Sequence, residues 1–128
     1  MSSFRIKLST KTFNSGAVEL IYSTIKPSNL VLTGLTNVVG TPMEKIRINP
    51  QDYAYIASIT RIMFPRTTIS LGCARGKGTI RSEIDGLCTG IANNIAIPTQ
   101  KSYKEAKKRK LTINEYKSCC CFLSEDLR

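Results

Sequence analysis

No part of this 128-residue chain is apolar over the ~18 residues that a membrane-spanning helix needs. Its opening, "MSSFRIKLST", has polar residues where a secretory signal requires an apolar stretch, so the expectation is a cytoplasmic protein with no membrane attachment. Five cysteines give no ordinary disulfide framework. Three of them are adjacent in "SCCCF" (Cys119, Cys120 and Cys121) and cannot pair with Cys73 and Cys88 without strain. In a reducing compartment they read as free thiols or metal ligands. The turn "GKG" at Gly76 to Gly78 is not a phosphate loop, because that motif's earlier glycine and its following Ser or Thr are missing.

Acidic residues are also scarce, with 9 against 19 Lys and Arg, which gives a net charge of +10. Such a charge fits nucleic acid, an acidic partner or an acidic substrate, and its placement decides among them. The cations are scattered from Arg5 to Arg128 and dense only in "KSYKEAKKRK" (residues 101–110). That run is helical in pattern, with Tyr103 its sole interleaved aromatic. It reads as a solvated helix face in preference to a nucleic-acid patch or a targeting signal, so nucleic acid is not an expected partner.

What is present suffices for one folded domain, since 41% of residues are hydrophobic and 22% charged. The pieces "FRIKLST" and "AVELIYSTI" show no clear period, and residues 1–28 read as an irregular or remnant segment. "SNLVLTGL" (28–35) then reads as a buried strand between Pro27 and Gly34. "NPQDYAYIASITRIMF" (49–64) reads as a helix with Asn49 as N-cap and Pro50 in its first turn. Tyr53, Ile56, Ala57, Ile59, Ile62 and Met63 are its apolar face. "RTTISLG" (66–72) is the next strand. "GTIRSEIDGLCTGI" (78–91) follows as a helix with Ile80, Ile84, Leu87, Cys88 and Ile91 on one face. "NNIAIP" (93–98) is a short strand, "TQKSYKEAKKRK" (99–110) a helix capped by Thr99, and "LTINEY" (111–116) a last strand candidate. The alternation predicts an α/β fold, a partial (β/α) TIM-type barrel of parallel strands alternating with helices. A closed barrel takes about 200 residues or more, so this chain would supply roughly half of one.

In this order, "VVGTPME" (38–44), "ITRIMFPRTTISLGCARGKG" (59–78), "EIDGLCTGIANNIAIPT" (83–99) and the terminal "CCCF" resemble the C-terminal half of radical S-adenosylmethionine enzymes of the biotin synthase type. The resemblance covers residues 29–122 and leaves 123–128 as a tail. It implies a (β/α) barrel whose C-terminal strands enclose substrate and, in some members, an auxiliary iron–sulfur cluster that serves as the sulfur source. The CxxxCxxC motif that holds the family's catalytic cluster has no counterpart among Cys73, Cys88 and Cys119 to Cys121. The resemblance therefore implies that this chain does not cleave S-adenosylmethionine alone, and that a partner or an N-terminal half supplies that site. An arginine that ligates the second cluster in biotin synthase falls on Ser70 here. The cysteine in "LGCAR" and the terminal thiols look more like the archaeal-type relatives, including two-subunit lipoyl synthases. Biotin or lipoyl (octanoyl-type) sulfur insertion is the activity implied; the alternative reading is a non-catalytic basic binding module for nucleic acid or an acidic protein, or a truncated fragment without independent activity.

Cys73, just past a strand end, is a candidate iron ligand with Cys119 and Cys121, because adjacent residues of an extended segment face opposite ways and Cys120 cannot easily join them. The bland alternative for Cys73 is a buried thiol. Arg75 is a candidate for binding a carboxylate or phosphate, with a surface salt bridge as its alternative. Alternation along "TTISLG" turns Thr68 and Ser70 to one side and Ile69 and Leu71 to the other. Thr68, Ser70 and, from "NLVLTGL", Thr33 are then expected inside the barrel as substrate or cofactor contacts. Cys88 is expected in the core. Strand edges of a half barrel invite pairing with another chain, so a partner carrying the catalytic half, or self-association, is expected.

Overall fold

The period-two runs of the sequence become the strands of one parallel sheet, and the 3.6-period runs become the helices between them. A computed structural model describes residues 3–8, 11–34, 38–42, 44–45 and 47–117. Its strands are β1 (Ser3–Leu8), β2 (Asn29–Gly34), β3 (Thr68–Leu71) and β4 (Asn94–Ile95), and its helices are α1 (Lys11–Thr24), α2 (Pro50–Met63), α3 (Gly78–Cys88) and α4 (Gln100–Lys108). The spatial strand order is β1-β2-β3-β4 and every pairing is parallel. A sheet whose order follows the sequence, with right-handed crossovers, puts all its helices on one face. In agreement, α1 packs on α2, α2 on α3, and α3 on α4. The expected α/β alternation is therefore present.

The N-terminal stretch differs from its expectation of irregularity. Ser3–Leu8 pairs with β2 along its whole length, and Lys11–Thr24 is helical. Of its described side chains, Val18 is fully buried, while Leu20 and Tyr22 are exposed. The last strand candidate also differs. Residues 111–116 are exposed and form no strand. Lys110 adopts a left-handed φ of 57°, and the Leu111 amide donates to the Ala106 carbonyl, a helix-ending turn.

Alternation along the strands separates two faces. Leu30, Leu32, Ile69 and Leu71 join Val18, Tyr53, Ile56, Ala57, Phe64, Ile84 and Cys88 in the core between sheet and helices. The Tyr53 hydroxyl donates to the Leu32 carbonyl (2.8 Å), which lets a phenol sit fully buried there. Asn49 caps α2 as expected, its Oδ1 accepting from the Gln51 amide (2.8 Å). The buried face of α2 is Tyr53, Ile56, Ala57 and Thr60, whereas Ile62 is 78% exposed. Thr60 hides its hydroxyl in a bond to the Ile56 carbonyl (2.7 Å) and so takes the place expected of an aliphatic residue.

Arg61 closes the N-terminal end of the sheet. Its guanidinium donates to the Ile91 carbonyl (2.8 and 3.0 Å), the Thr67 carbonyl (3.0 Å) and Asn93 Oδ1 (2.6 Å), and Asn93 Oδ1 also accepts from the Ile69 amide (2.9 Å). The other end depends on Gly34. A Cβ at Gly34 would lie 2.9 Å from the Arg75 Cα, and the Gly34 amide bonds the Ala74 carbonyl. Gly34→Ala should therefore lower stability by about 1–3 kcal/mol through forced backbone shifts. Gly16→Ala, in open space on α1, should raise it by up to ~1 kcal/mol. Urea unfolding midpoints of the two variants check both signs.

Candidate functional site

On the face of the sheet opposite the helix layer, a row of polar side chains crosses three strands. Asn94 Nδ2 donates to Ser70 Oγ (3.2 Å), and Ser70 Oγ donates to Asn29 Oδ1 (3.1 Å). The register explains the row, since Ser70 lies beside Asn94 and Val31, with Asn29 one pleat along β2. Ser70 and Asn29 are buried. Thr33 shares their face by alternation and is also buried, and a Cβ at Gly72 would lie 2.7 Å from its methyl. Thr68 is half-buried at the start of β3. Thr33 and Ser70 thus stand on one buried face, with Asn29 and Asn94 as members that the sequence reading missed. Period-two parity with Thr33 points to Asn29; a two-residue strand leaves too little pattern to assign Asn94 in the same way.

The C-terminal ends of β3 and β4 carry a second network. Arg75 is fully buried and all its five N–H groups are used. Nε and Nη2 grip Asp85 (2.7 and 3.0 Å), Nη1 donates to the Gly72 and Ala96 carbonyls (2.9 and 2.6 Å), and Nη2 also reaches the Ile97 carbonyl (3.3 Å). Asp85 Oδ2 further accepts from the Thr99 amide and hydroxyl (both 2.9 Å). This corrects the expectation that Arg75 binds a substrate anion: its donors are spent inside the fold, on a carboxylate ten residues away that no local pattern marks. It also corrects the expected role of the Thr99 side chain, which serves Asp85 and makes no cap bond to α4.

Arg81 extends the clamp, donating to the Cys73 carbonyl (2.6 Å) and to the Ala96 and Ile97 carbonyls (3.2 and 3.1 Å). Burial and, secondarily, the neighbouring Arg75 lower its pKa. Ile97 adopts a φ of +46°, a conformation that costs a β-branched residue about 1–3 kcal/mol and persists where its surroundings impose it. Here two guanidinium groups hold its carbonyl.

Cys73 is exposed and borders an open cleft of about 900 Å³. The cleft follows the outer edge of β4 from Ala92 to Ile97, with Ser102 and Tyr103 of α4 on one side and residues 111–117 on the other. Cys88 lies in the core, as expected, and burial pushes its thiol from an ordinary 9.0 up to about 12. Among the described residues, no three His, Cys, Asp or Glu side chains come together as a metal site. Cys119 and Cys121, expected to join Cys73, lie outside the described residues.

No protein-family profile matches the chain. Three curated proteins are similar to it, each a biotin synthase. That of Neorickettsia sennetsu is 32% identical over 72 residues, covering 56% of this chain and 22% of the enzyme. That of Buchnera aphidicola is 31% identical over 100 residues, 73% of this chain and 29% of the enzyme. That of Vibrio campbellii is 29% identical over 72 residues, 56% and 20% respectively. This chain is similar to part of biotin synthase. It spans less than a third of the length of those relatives, and no helix among its described residues is long and apolar enough to cross a membrane.

Two outcomes follow from the networks. Asp85→Asn should destabilise the fold by about 3–5 kcal/mol, because it leaves a buried guanidinium without its counter-charge, as read by urea unfolding. Brief iodoacetamide labelling of the folded chain, with peptide mapping, should modify Cys73 and spare Cys88. Cys88 is neutral when folded and its folded pKa is raised, so its contribution to stability is complete below pH 9 and is lost as pH climbs towards about 12. The alkaline fall in unfolding midpoint should be shallower in Cys88→Ala.

Proposed function

We infer that this chain forms the substrate-side portion of a biotin-synthase-like radical S-adenosylmethionine protein that inserts sulfur into a cofactor precursor of the biotin or lipoyl type. The observation that carries the reading is the Asn29–Ser70–Asn94 row, buried at Asn29 and Ser70, on the face of an all-parallel (β/α) sheet opposite its helices, in a chain similar to biotin synthases. Amides and a hydroxyl in a buried setting hold a neutral polar substrate by hydrogen bonds and fix its orientation without a charge. In such chemistry S-adenosylmethionine held by the catalytic portion would supply a deoxyadenosyl radical that takes the hydrogen atom from an unactivated carbon, and an auxiliary iron–sulfur cluster would supply the sulfur and take up the electron. The part of this chain is to place that carbon and exclude water, with Thr33 and Thr68 beside the row.

Ser70 is already committed to its two asparagine neighbours, which favours positioning over cluster ligation at this strand. Cys73 is the one exposed thiol among the described residues, at the C-terminal sheet end and beside the cleft. A cluster at this end of the sheet would take Cys73 together with thiols from Cys119 and Cys121 or from another chain. S-adenosylmethionine cleavage belongs to a CxxxCxxC-bearing portion, in a partner subunit or another segment of the same protein. β1 and β4 are the edges of the described sheet, and an unpaired edge strand takes up another strand readily. Pairing there with the catalytic portion, or with a second copy, completes the enclosure.

Anaerobic incubation with iron and sulfide, followed by iron and acid-labile sulfide counts, tests the reading. The chain should retain iron in fixed proportion, and Cys73→Ala should lose most of it. Background iron in the unaltered chain, or equal retention in Cys73→Ala, would sink the auxiliary-cluster assignment.

A further inference from the structure

The basic run of α4 has a placement that a merely solvated face does not need. At 3.6 residues per turn, Lys101, Lys104, Lys107 and Lys108 fall within one arc of about 120°, opposite the buried Ser102 and Ala106. All four lysines are exposed. No acid lies on that arc: Glu105 turns aside and meets Arg109 (3.5 Å). Like charges three and four apart oppose helix formation, and exposed faces usually relieve this with interleaved carboxylates. Glu105 is spaced four residues from Lys101 and three from Lys108, whereas Lys104 and Lys107 have no acid three or four residues away, and an external anion would relieve their repulsion. Two further placements reinforce the stripe. The methylenes of Lys101 lie across Gly86, where a Cβ would come within 2.9 Å of them, and the side chain of Arg109 lies across Gly90.

The stripe adjoins the cleft. Tyr103, on the same helix, lines it together with Tyr116, Asn94, Asn114, Thr112 and Lys117. Tyr116 is 52% exposed, and the Tyr103 hydroxyl is held by Glu115 Oε1 (2.7 Å). The sequence shows one aromatic in the basic run, and the fold brings a second one to the opposite side of the cleft. A cationic track beside aromatic rings and amides suits a strand of phosphates whose unpaired bases stack and bond in the cleft. A membrane surface fits less well, because the lysine arc carries no apolar side chain to insert. The lysine arc extends over roughly 10 Å, about three nucleotides of a stacked strand at ~3.4 Å each.

The geometry points to a single-stranded nucleic acid bound across α4 and the cleft beside β4. This binding shares the cleft with Cys73 and Asn94 of the sulfur-insertion reading but is carried by the α4 lysines and Tyr116. The test is fluorescence anisotropy of the full chain with a labelled oligouridylate of about 12 nucleotides, titrated between ~50 and ~200 mM salt. Lys104→Gln with Lys108→Gln should weaken low-salt binding about tenfold and reduce the logarithmic salt slope by ~1.4, since each neutralised phosphate contact removes ~0.7. Tyr116→Ala should weaken binding at least about fivefold at every salt concentration, because stacking is not screened. Unchanged affinity in Tyr116→Ala would overturn the proposal. So would equal binding to polyglutamate of matched length, which indicates an acidic protein partner, or to phosphatidylserine vesicles.

Discussion

The upper half of this molecule is organised by one ion pair. Arg75 leaves β3, turns back, and meets Asp85 from α3 with both partners out of water. A pair of this kind adds little net stability over an apolar substitute, because desolvation of the two charges offsets most of their attraction. Its effect is on arrangement. The three N–H groups that Asp85 leaves over point at the carbonyls of Gly72, Ala96 and Ile97, and the carboxylate reaches Thr99 at the start of α4. One guanidinium thereby fixes the end of β3, the β4–α4 connection and the entry to α4 relative to α3. The left-handed Ile97 is a consequence, since its carbonyl is pulled into the clamp by Arg75 and Arg81 together.

That clamp explains how a strand of two residues can serve as a wall. β4 has too few ladder bonds to define its own position, and its ends are set by arginines on either side. Arg61 holds the approach at Ile91 and Asn93, and Arg75 with Arg81 holds the exit at Ala96 and Ile97. Between these anchors Asn94 is presented to Ser70, and the outer edge of β4 is presented to the cleft. The polar row and the cleft are therefore two sides of one strand, and both rely on side chains that neither touches directly.

Much of the fold was legible because its signals are local. The caps of α2, the alternation of β2 and β3, and the apolar placement of Cys88 each depend on residues within a turn or two of one another. The failures share a cause as well. Thr60 displaced Ile62 from the core face because a hydroxyl bonded to its own helix behaves as an apolar surface. Residues 111–116 have the composition of a strand, but the turn at Lys110 sends them across the cleft. Arg75 read as a ligand-binding cation because its partner is brought by the β3–α3 connection and carries no mark in the sequence. Of the candidate contacts, Ser70 and Thr33 stand on the buried polar face that alternation assigns them, and their asparagine neighbours became visible only through the register between strands.

The same distinction governs where the net charge of +10 acts. Arg61, Arg75 and Arg81 are spent on carbonyl oxygens and one carboxylate, so their charge is consumed within the fold. Among the described residues, the exposed α4 lysines Lys101, Lys104, Lys107 and Lys108 take part in no ion pair. Arginine suits the first task because its planar fork meets several acceptors at once, and lysine suits the second because its ammonium remains hydrated on a flexible stem. Charge that is structural is thus separated from charge that is free to bind. In the described part of the chain the densest free charge lies on α4, beside the clamped edge of β4. A partner attracted by that charge would meet the cleft with its wall already in place, which lowers the ordering cost of binding there.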